Sequence, residues 1–158
     1  FDDALACLYD QYHVDLDRVY ATGMSAGGLW TTYLTMYRSE ALASTVIFSG
    51  GTEGIIPYST PVEDIPSLVI WGGESDTYSS LSFEVASEGF TQSLLADGSF
   101  VANCDHGGGH TIPDDPMGLA WPFFAAHPDH LETEPWLAGL PESYPDWCWV
   151  AEQADPAG

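Results

Sequence analysis

The sequence predicts an α/β fold, in which a mostly parallel sheet carries helices on both faces. The candidate strands are short, apolar and rich in β-branched residues, as in TVIFS and LVIW, which is typical of strands covered on both faces. These strands alternate along the chain with segments of helical period. Three of them run into glycine-containing loops, and α/β sheets bind their ligands beyond the carboxyl ends of the strands.

The spacing of apolar residues assigns each element. In the second helix, for example, this spacing places Leu29, Tyr33, Met36 and Tyr37 on the face that packs against the sheet. In chain order, the predicted elements are a helix over residues 2–13, a strand over 18–22, a helix over 26–37, strands over 45–49 and 68–71, a helix over 81–95, a strand over 99–103, and a helix over 116–126 that Pro122 interrupts.

The composition changes after residue 126. Prolines recur through the remaining segment, together with Trp136, Trp147 and Trp149. Because proline interrupts both helices and strand ladders, residues 127–158 are predicted to form an irregular tail that packs on the body. A chain of 158 residues is long enough to bury a core of its own. We therefore expect one domain over residues 1–158.

The charge of the chain excludes several classes of partner. There are 24 acidic residues against two arginines, and the net charge is −22. Such a surface repels phosphate backbones and anionic lipid headgroups, so neither nucleic-acid nor membrane binding is expected. No apolar run approaches the roughly 20 residues that span a bilayer. The composition predicts an acidic, soluble surface instead.

The three loops after the predicted strands bring three reactive groups to one edge of the sheet. Ser25 lies in GMSAG after the first strand, Asp76 in GGESD after the third, and His110 in HGGGH after the fourth. A serine hydroxyl becomes a nucleophile when an imidazole accepts its proton, and a carboxylate holds that imidazole in the required tautomer. The sequence therefore predicts Ser25 as nucleophile, His110 as base and Asp76 as the orienting acid.

The G-x-S-x-G pattern has a mechanical reason. A nucleophile on a sharp strand-to-helix turn is pushed out of the loop, and the strand and helix then approach closely, which favours small residues such as Gly23 and Gly27 two positions away. The backbone N–H of Ala26, at the start of the helix, is predicted to donate to the oxyanion. The pattern is weak by itself, but its place between a strand and a helix strengthens it.

Several nearby residues offer alternatives. His106 is a rival base, and Glu74 is a rival acid. Asp105, His106 and His110 also permit a metal-site interpretation, although no further ligand-rich motif supports it. Trp71 ends the third strand on the functional edge, where it either lines a substrate pocket or belongs to the core.

The strings DLDRVYATGMSAGG, WGGESDTY and CDHGGGHTIP resemble the α/β-hydrolase superfamily. Within it, the chain is similar to secreted esterases of the polyhydroxybutyrate depolymerase and feruloyl esterase group. The resemblance implies an α/β-hydrolase fold, with Ser25, Asp76 and His110 as the triad and Ala26 as an oxyanion-hole donor. It implies cleavage of a carboxylic ester through an acyl-enzyme, without metal or cofactor. The substrate class would be a polyester or a plant-polysaccharide ester.

The resemblance covers residues 1–126, with a weaker match in the tail. Members of this group carry several further strands before the helix that opens this chain, and a loop after one of them supplies a second oxyanion N–H. We therefore expect an N-terminally incomplete catalytic domain. Its strand over residues 18–22 would be an exposed edge, which a missing N-terminal segment or a dimer partner would cover.

The cysteines are Cys7, Cys104 and Cys148, and three cannot all pair within the chain. In a secreted or periplasmic protein, Cys104 would pair with Cys148, and Cys7 would be left to a partner outside this segment. The alternative is three buried thiols. We favour the disulfide because the predicted chemistry is that of an extracellular enzyme.

Two other function classes stay open. Serine peptidases of the prolyl oligopeptidase type share the serine turn and the chain order of the triad. A truncated, non-catalytic domain would bind a polymer or a protein partner through its aromatic tail. Labelling of Ser25 by a fluorophosphonate separates the enzymes from the binding domain.

Overall fold

The structure is a computed structural model and describes residues 1–152. It contains a five-stranded sheet, a two-stranded hairpin, four α-helices and two short 3₁₀ turns within that range. The helices are α1 (Asp2–Gln11), α2 (Ala26–Tyr37), α3 (Phe83–Asp97) and α4 (Pro116–Ala126), and the strands are β1 (Tyr20–Met24), β2 (Ser44–Phe48), β3 (Ser67–Trp71), β4 (Thr77–Tyr78), β5 (Leu81–Ser82), β6 (Val101–Asp105) and β7 (Cys148–Val150).

The main sheet has the strand order β1-β2-β3-β6-β7. Its first four strands are parallel, and β7 is antiparallel to β6. Because consecutive parallel strands need crossover connections, α2 and α3 return the chain across the sheet, and the carboxyl ends of β1, β2, β3 and β6 lie at one edge. The predicted α/β fold with a mostly parallel sheet is confirmed.

Helices cover both faces of the sheet, as predicted. Successive strand residues point to opposite faces of the sheet, so the central strands contribute side chains to two apolar clusters, one on each face. One face packs against α4 and the tail, through Val46, Phe48, Leu68, Ile70, Ala102, Cys104, Phe123, Phe124, Trp136 and Tyr144. The other face packs against α2 and α3, through Met36, Ile47, Val69, Trp71, Phe90, Leu94 and Val101.

Helix α2 buries Met36 as predicted, but most of its buried face is made of other residues. Tyr33 is 40% exposed, whereas Thr31, Thr32 and Thr35 are buried and donate their hydroxyls to helix carbonyls four residues earlier. The reason is the close approach of the helix to the sheet, where a Cβ on Gly28 would lie 2.3 Å from the Phe48 carbonyl oxygen. Threonine side chains are small and their hydroxyls are hydrogen-bonded within the helix, so they fit this gap. A tyrosine side chain is too large for it.

The carboxyl ends of β1 and β6 lie two residues beyond their predicted ends. Strand β1 continues to Met24 because Met24 pairs with Phe48 of β2. Strand β6 continues to Asp105 because Asp105 pairs with Trp71 of β3. The neighbouring strands therefore set where these two strands end.

The tail is less irregular than predicted, because residues 148–150 form β7. The predicted disulfide is confirmed: Cys104 and Cys148 occupy paired positions of β6 and β7, and their sulfurs are bonded. Cys7 is free and exposed. Residues 153–158, including Pro156 of the predicted tail, lie outside the described residues. No helix in the described part is long and apolar enough to cross a membrane.

Candidate active site

Ser25 occupies a strained turn between β1 and α2. Its backbone has φ 56° and ψ −116°, a region that non-glycine residues rarely adopt and that tends to persist at functional sites. The turn is held because the Ser25 N–H donates to the Phe48 carbonyl at 3.0 Å. The side chain makes no capping bond to α2, so its hydroxyl is available to other partners.

The sequence predicted that Gly23 and Gly27 must be small at this turn, whereas the structure requires small residues at Gly23 and Gly28. A Cβ on Gly23 would lie 2.4 Å from the Gly27 carbonyl oxygen, so a side chain at Gly23 does not fit. A Cβ on Gly27 itself would meet no atom within 4 Å. The residue on the helix that must be small is Gly28, which faces the Phe48 carbonyl.

The structure brings Ser25, His110 and Asp76 together from three separate loops. His110 Nε2 lies 2.9 Å from Ser25 Oγ, and His110 Nδ1 lies 2.7 Å from Asp76 Oδ1. An ionised carboxylate only accepts hydrogen bonds, so Nδ1 carries the proton and donates to Asp76. Nε2 of the neutral ring then accepts from the Ser25 hydroxyl, which is the tautomer that a general base requires.

Asp76 is fully buried, with 0% of its surface exposed. Its second carboxylate oxygen, Oδ2, accepts from the Ser49 hydroxyl at 2.8 Å and from the Gly72 N–H at 3.0 Å. A buried charge is tolerated when hydrogen-bond donors surround it, and Asp76 therefore meets His110 as a fixed acceptor. Glu74, the rival acid, is exposed.

Packing and loop contacts hold His110. Phe83, the first residue of α3, stacks on its imidazole with ring centres 4.7 Å apart and planes 14° apart. The loop that carries His110 is joined to the loop that carries Asp76, because the Gly109 N–H donates to the Gly72 carbonyl at 2.8 Å. His110 nevertheless keeps 22% of its side chain exposed, so its ring is accessible from solvent.

His106, the rival base, makes neither contact of His110. Its Nδ1 accepts from the Gly108 N–H at 3.2 Å, and its ring lies edge-on to Trp147. Within residues 1–152, no group of three or more His, Cys, Asp or Glu side chains is placed to hold a metal ion. The metal-site interpretation therefore gains no support from the geometry.

Ala26 begins α2 and is exposed. The first N–H groups of a helix have no partner within the helix, and they lie at the positive end of its dipole. The predicted oxyanion donor is therefore next to Ser25 with its N–H at the helix start. Its role stays a prediction.

Trp71 is a core residue. Only 2% of its surface is exposed, and its ring lies edge-on to Trp149. It contributes to the wall of a cavity of about 300 Å³ between α3 and β7, and the residues lining that cavity include none of the three triad residues. Of the two interpretations of Trp71 from sequence, the structure supports the core aromatic.

A larger cavity adjoins the loop of His110, although Ser25, Asp76 and His110 are not among the residues lining it either. Its volume is about 480 Å³, and its walls come from that loop, from the start of α4 and from the tail. Apolar and polar side chains both line it, including Ile112, Pro113, Asp114, Asp115 and Trp147. Next to Phe83, burial and the negative charges of Glu88 and Asp105 raise the pKa of Glu84.

Sequence reasoning missed Ser49 and Phe83. Ser49 follows β2 in the structure, but the predicted strand over residues 45–49 included it, so a search of the loops after the predicted strands did not reach it. No sequence signal identifies Phe83, because its contact with His110 depends on how α3 packs.

The fold is shared with solved structures. No family model and no curated protein matches the chain. Native sOPH matches with a TM-score of 0.66 at 18% identity, over 94% of this chain and 57% of that chain. Native pOPH matches with a TM-score of 0.65 at 20% identity, over 95% and 58%.

A third match is a serine-to-alanine variant of pOPH in complex with pNPB, with a TM-score of 0.67 at 20% identity, over 96% of this chain and 60% of that chain. The present chain thus spans about three fifths of the length of these structures. At these identities the similarity is one of fold. Together with the sheet order, it supports a mostly parallel α/β fold that these structures share.

Proposed function

We propose that this chain carries the catalytic triad of a serine carboxylic-ester hydrolase. The supporting observation is the continuous path of contacts from the Ser25 hydroxyl through both nitrogens of His110 to buried Asp76. In this path each group has the partner that nucleophilic catalysis requires. The strained backbone at Ser25 points to the same use.

In the first half-reaction, Ser25 Oγ attacks the ester carbonyl while His110 Nε2 accepts the hydroxyl proton. Asp76 stays ionised and stabilises the imidazolium through Nδ1–H. The Ala26 N–H donates to the oxyanion of the tetrahedral intermediate. His110 then gives its proton to the leaving alcohol as the C–O bond breaks, and an acyl-enzyme remains on Ser25.

In the second half-reaction, water replaces the alcohol. His110 accepts a proton from the water, whose oxygen attacks the acyl carbon, and the carboxylic acid leaves as Ser25 regains its proton. No step needs a metal or a cofactor.

The substrate that we propose is a neutral ester within a polyester or a plant polysaccharide, such as a polyhydroxyalkanoate, feruloyl or acetyl ester. The cavity of about 480 Å³ beside the His110 loop is large enough for one repeating unit of such a polymer. The carboxylates of Asp114 and Asp115 in its wall disfavour an anionic substrate. The pOPH variant that shares the fold was solved in complex with pNPB.

We propose that the protein is secreted or periplasmic. The Cys104–Cys148 disulfide supports this location because such bonds persist in oxidising compartments.

The test is reaction of Ser25 with a fluorophosphonate probe and with p-nitrophenyl esters. We expect labelling at Ser25, and we expect Ser25→Ala to lower kcat/KM by about 10⁴-fold or more. Ser93→Ala is the matched control, because the Ser93 hydroxyl donates only to the Gly89 carbonyl within α3. A folded protein that never labels would be a binding domain, and cleavage of peptides without ester preference would indicate a peptidase.

We also propose that a further strand pairs with β1. Strand β1 is terminal in the sheet, and an unpaired parallel strand presents free N–H and C=O groups to other chains. The strand would come from a preceding segment of the same protein or from a second copy. Sedimentation velocity of the 158-residue chain separates these sources, because only a second copy gives a concentration-dependent dimer.

A further inference from the structure

We infer that Ser49 is a positioning residue of this site, which holds the Asp76 carboxylate in the orientation that His110 needs. The inference rests on the proposed function, since it assigns to Ser49 a task within the same reaction. The Ser49 hydroxyl donates its hydrogen bond to Asp76 and not to Ser25 or His110. It acts through Asp76.

The first observation is the backbone of Ser49. It follows β2 directly and has φ 45°, in the left-handed region that favours glycine, asparagine and aspartate over serine. The strained conformation is held by pairing, because the Ser49 N–H donates to the Ile70 carbonyl at 2.8 Å. Backbone strain of this kind persists where the surrounding structure requires it, and it concentrates at functional sites.

The second observation is the side chain. Ser49 is 1% exposed, and its hydroxyl donates to Asp76 Oδ2 at 2.8 Å. Together with the Gly72 N–H, it occupies Oδ2 with two donors and leaves Oδ1 to His110. Rotation of the carboxylate would break these bonds in a dry environment, where an unpaired charge is costly. The hydroxyl thus fixes which oxygen faces the imidazole and at what angle.

The third observation links this turn to the nucleophile. Phe48, the residue before Ser49, accepts a hydrogen bond from the Ser25 N–H through its carbonyl. Gly28 of α2 lies close to the carbonyls of both Phe48 and Ser49. A Cβ on Gly28 would lie 2.3 Å from the oxygen of Phe48 and 3.1 Å from that of Ser49. The last residue of β2, Phe48, and the residue after it, Ser49, therefore hold the backbone of the nucleophile and the carboxylate of the acid.

Three variants separate positioning from a merely structural role. Ser49→Ala removes the hydroxyl and keeps the strained backbone, whereas Ser49→Gly removes the hydroxyl and relieves the strain. Ser67→Ala is the matched control, because Ser67 is also fully buried and its hydroxyl bonds only to Thr45, at the opposite end of the strands.

We expect both Ser49 variants to lower kcat for a p-nitrophenyl ester, and the rate of Ser25 phosphonylation, by about 10- to 100-fold with KM unchanged. Ser49→Gly should be the more stable of the two in urea and still be equally slow. Ser67→Ala should lose stability and keep its rate. An equal loss of rate in two variants that differ in stability is what a structural role alone does not produce.

Proton NMR of the low-field His110 Nδ1–H resonance provides a readout that does not need turnover. We expect this resonance in the wild-type chain and expect it to shift or broaden in both Ser49 variants, but not in Ser67→Ala. An unchanged resonance and an unchanged rate in Ser49→Ala would overturn the inference. If the wild type does not label at Ser25 while Ser49→Ala still perturbs the resonance, the proposed function fails and the positioning role stands.

Discussion

The strands at the two edges of the main sheet differ in what covers them. At one edge, β7 pairs with β6, the Cys104–Cys148 disulfide crosses between them, and the tail adds Trp136 and Tyr144 to the core cluster on one face. At the other edge, β1 pairs with β2 on its inner side and has no strand on its outer side among residues 1–152, and the preceding helix α1 buries none of its residues. We call these the β7 edge and the β1 edge.

This difference divides the candidate site. Ser25 follows β1 and depends on the open edge, whereas His110 follows β6 and depends on the closed one. What holds the Ser25 turn is contact with its inner neighbours, through Phe48 of β2 and Gly28 of α2. We therefore expect Ser25 and His110 to differ in how firmly the fold supports them, and the four predictions below compare the two edges, from the largest expected effect to the smallest.

The largest effect is expected at the β7 edge. Replacing Cys104 and Cys148 together by alanine removes a cross-link between residues separated by 44 positions, which the chain-entropy model values at about 4 kcal/mol of unfolding free energy. Cys7→Ala is the control, because that thiol is free and exposed. Urea unfolding measures both. A double variant as stable as Cys7→Ala would show that the β7 edge needs no covalent closure.

The next effect is expected at the Ser25 turn. Gly23→Ala would place a Cβ against the Gly27 backbone and should cost about 3 kcal/mol, because the overlap is with main chain and cannot be relieved by a rotamer change. Gly27→Ala has open space and should be neutral or stabilise the start of α2 by about 0.5 kcal/mol. Thermal unfolding compares the pair. Equal losses in both variants would contradict the close approach.

A smaller difference should be visible in hydrogen exchange. We expect the amides of β1 to exchange through openings that cost at least about 1.4 kcal/mol less than those of β6, because β1 is half-buried and terminal. Exchange measured by mass spectrometry on the native protein gives both values. Equal protection would indicate that β1 is covered in solution, as by the further strand proposed above.

The smallest effect concerns alkaline pH at the β7 edge. Tyr144 is buried and donates its hydroxyl to the Leu119 carbonyl, and burial raises its pKa above the ordinary value. The folded state then keeps a proton that the unfolded chain releases, so this contribution is full below the ordinary tyrosine pKa and is lost as pH rises above it. Tyr144→Phe should cost about 1 kcal/mol at neutral pH and reduce the alkaline loss.

The loss of stability between neutral and alkaline pH is measured from urea midpoints at pH 7 and pH 10.5. Tyr12→Phe is the control, because Tyr12 is 66% exposed. The same alkaline loss in Tyr144→Phe and wild type would contradict it.

Much of the site could be predicted from sequence because its chemistry is local to each loop. The glycine spacing around Ser25, and the order Ser25, Asp76, His110 after successive strands, indicate the three groups before any contact is known. Ser49 and Phe83 could not be recognised in this way. Their relevance comes from contacts with Asp76 and His110, residues distant in sequence.

The sequence by itself determined the alternation of strands and helices, the glycine turn at Ser25 and the order in which the reactive groups follow the strands, because each depends on residues a few positions apart. Only the tertiary structure decided which face α2 buries, where β1 and β6 end, that the tail closes one edge as β7, and which hydroxyl secures Asp76. These depend on the register between strands and on how closely α2 approaches Phe48. Such distances between segments far apart in the chain leave no periodic trace in the sequence.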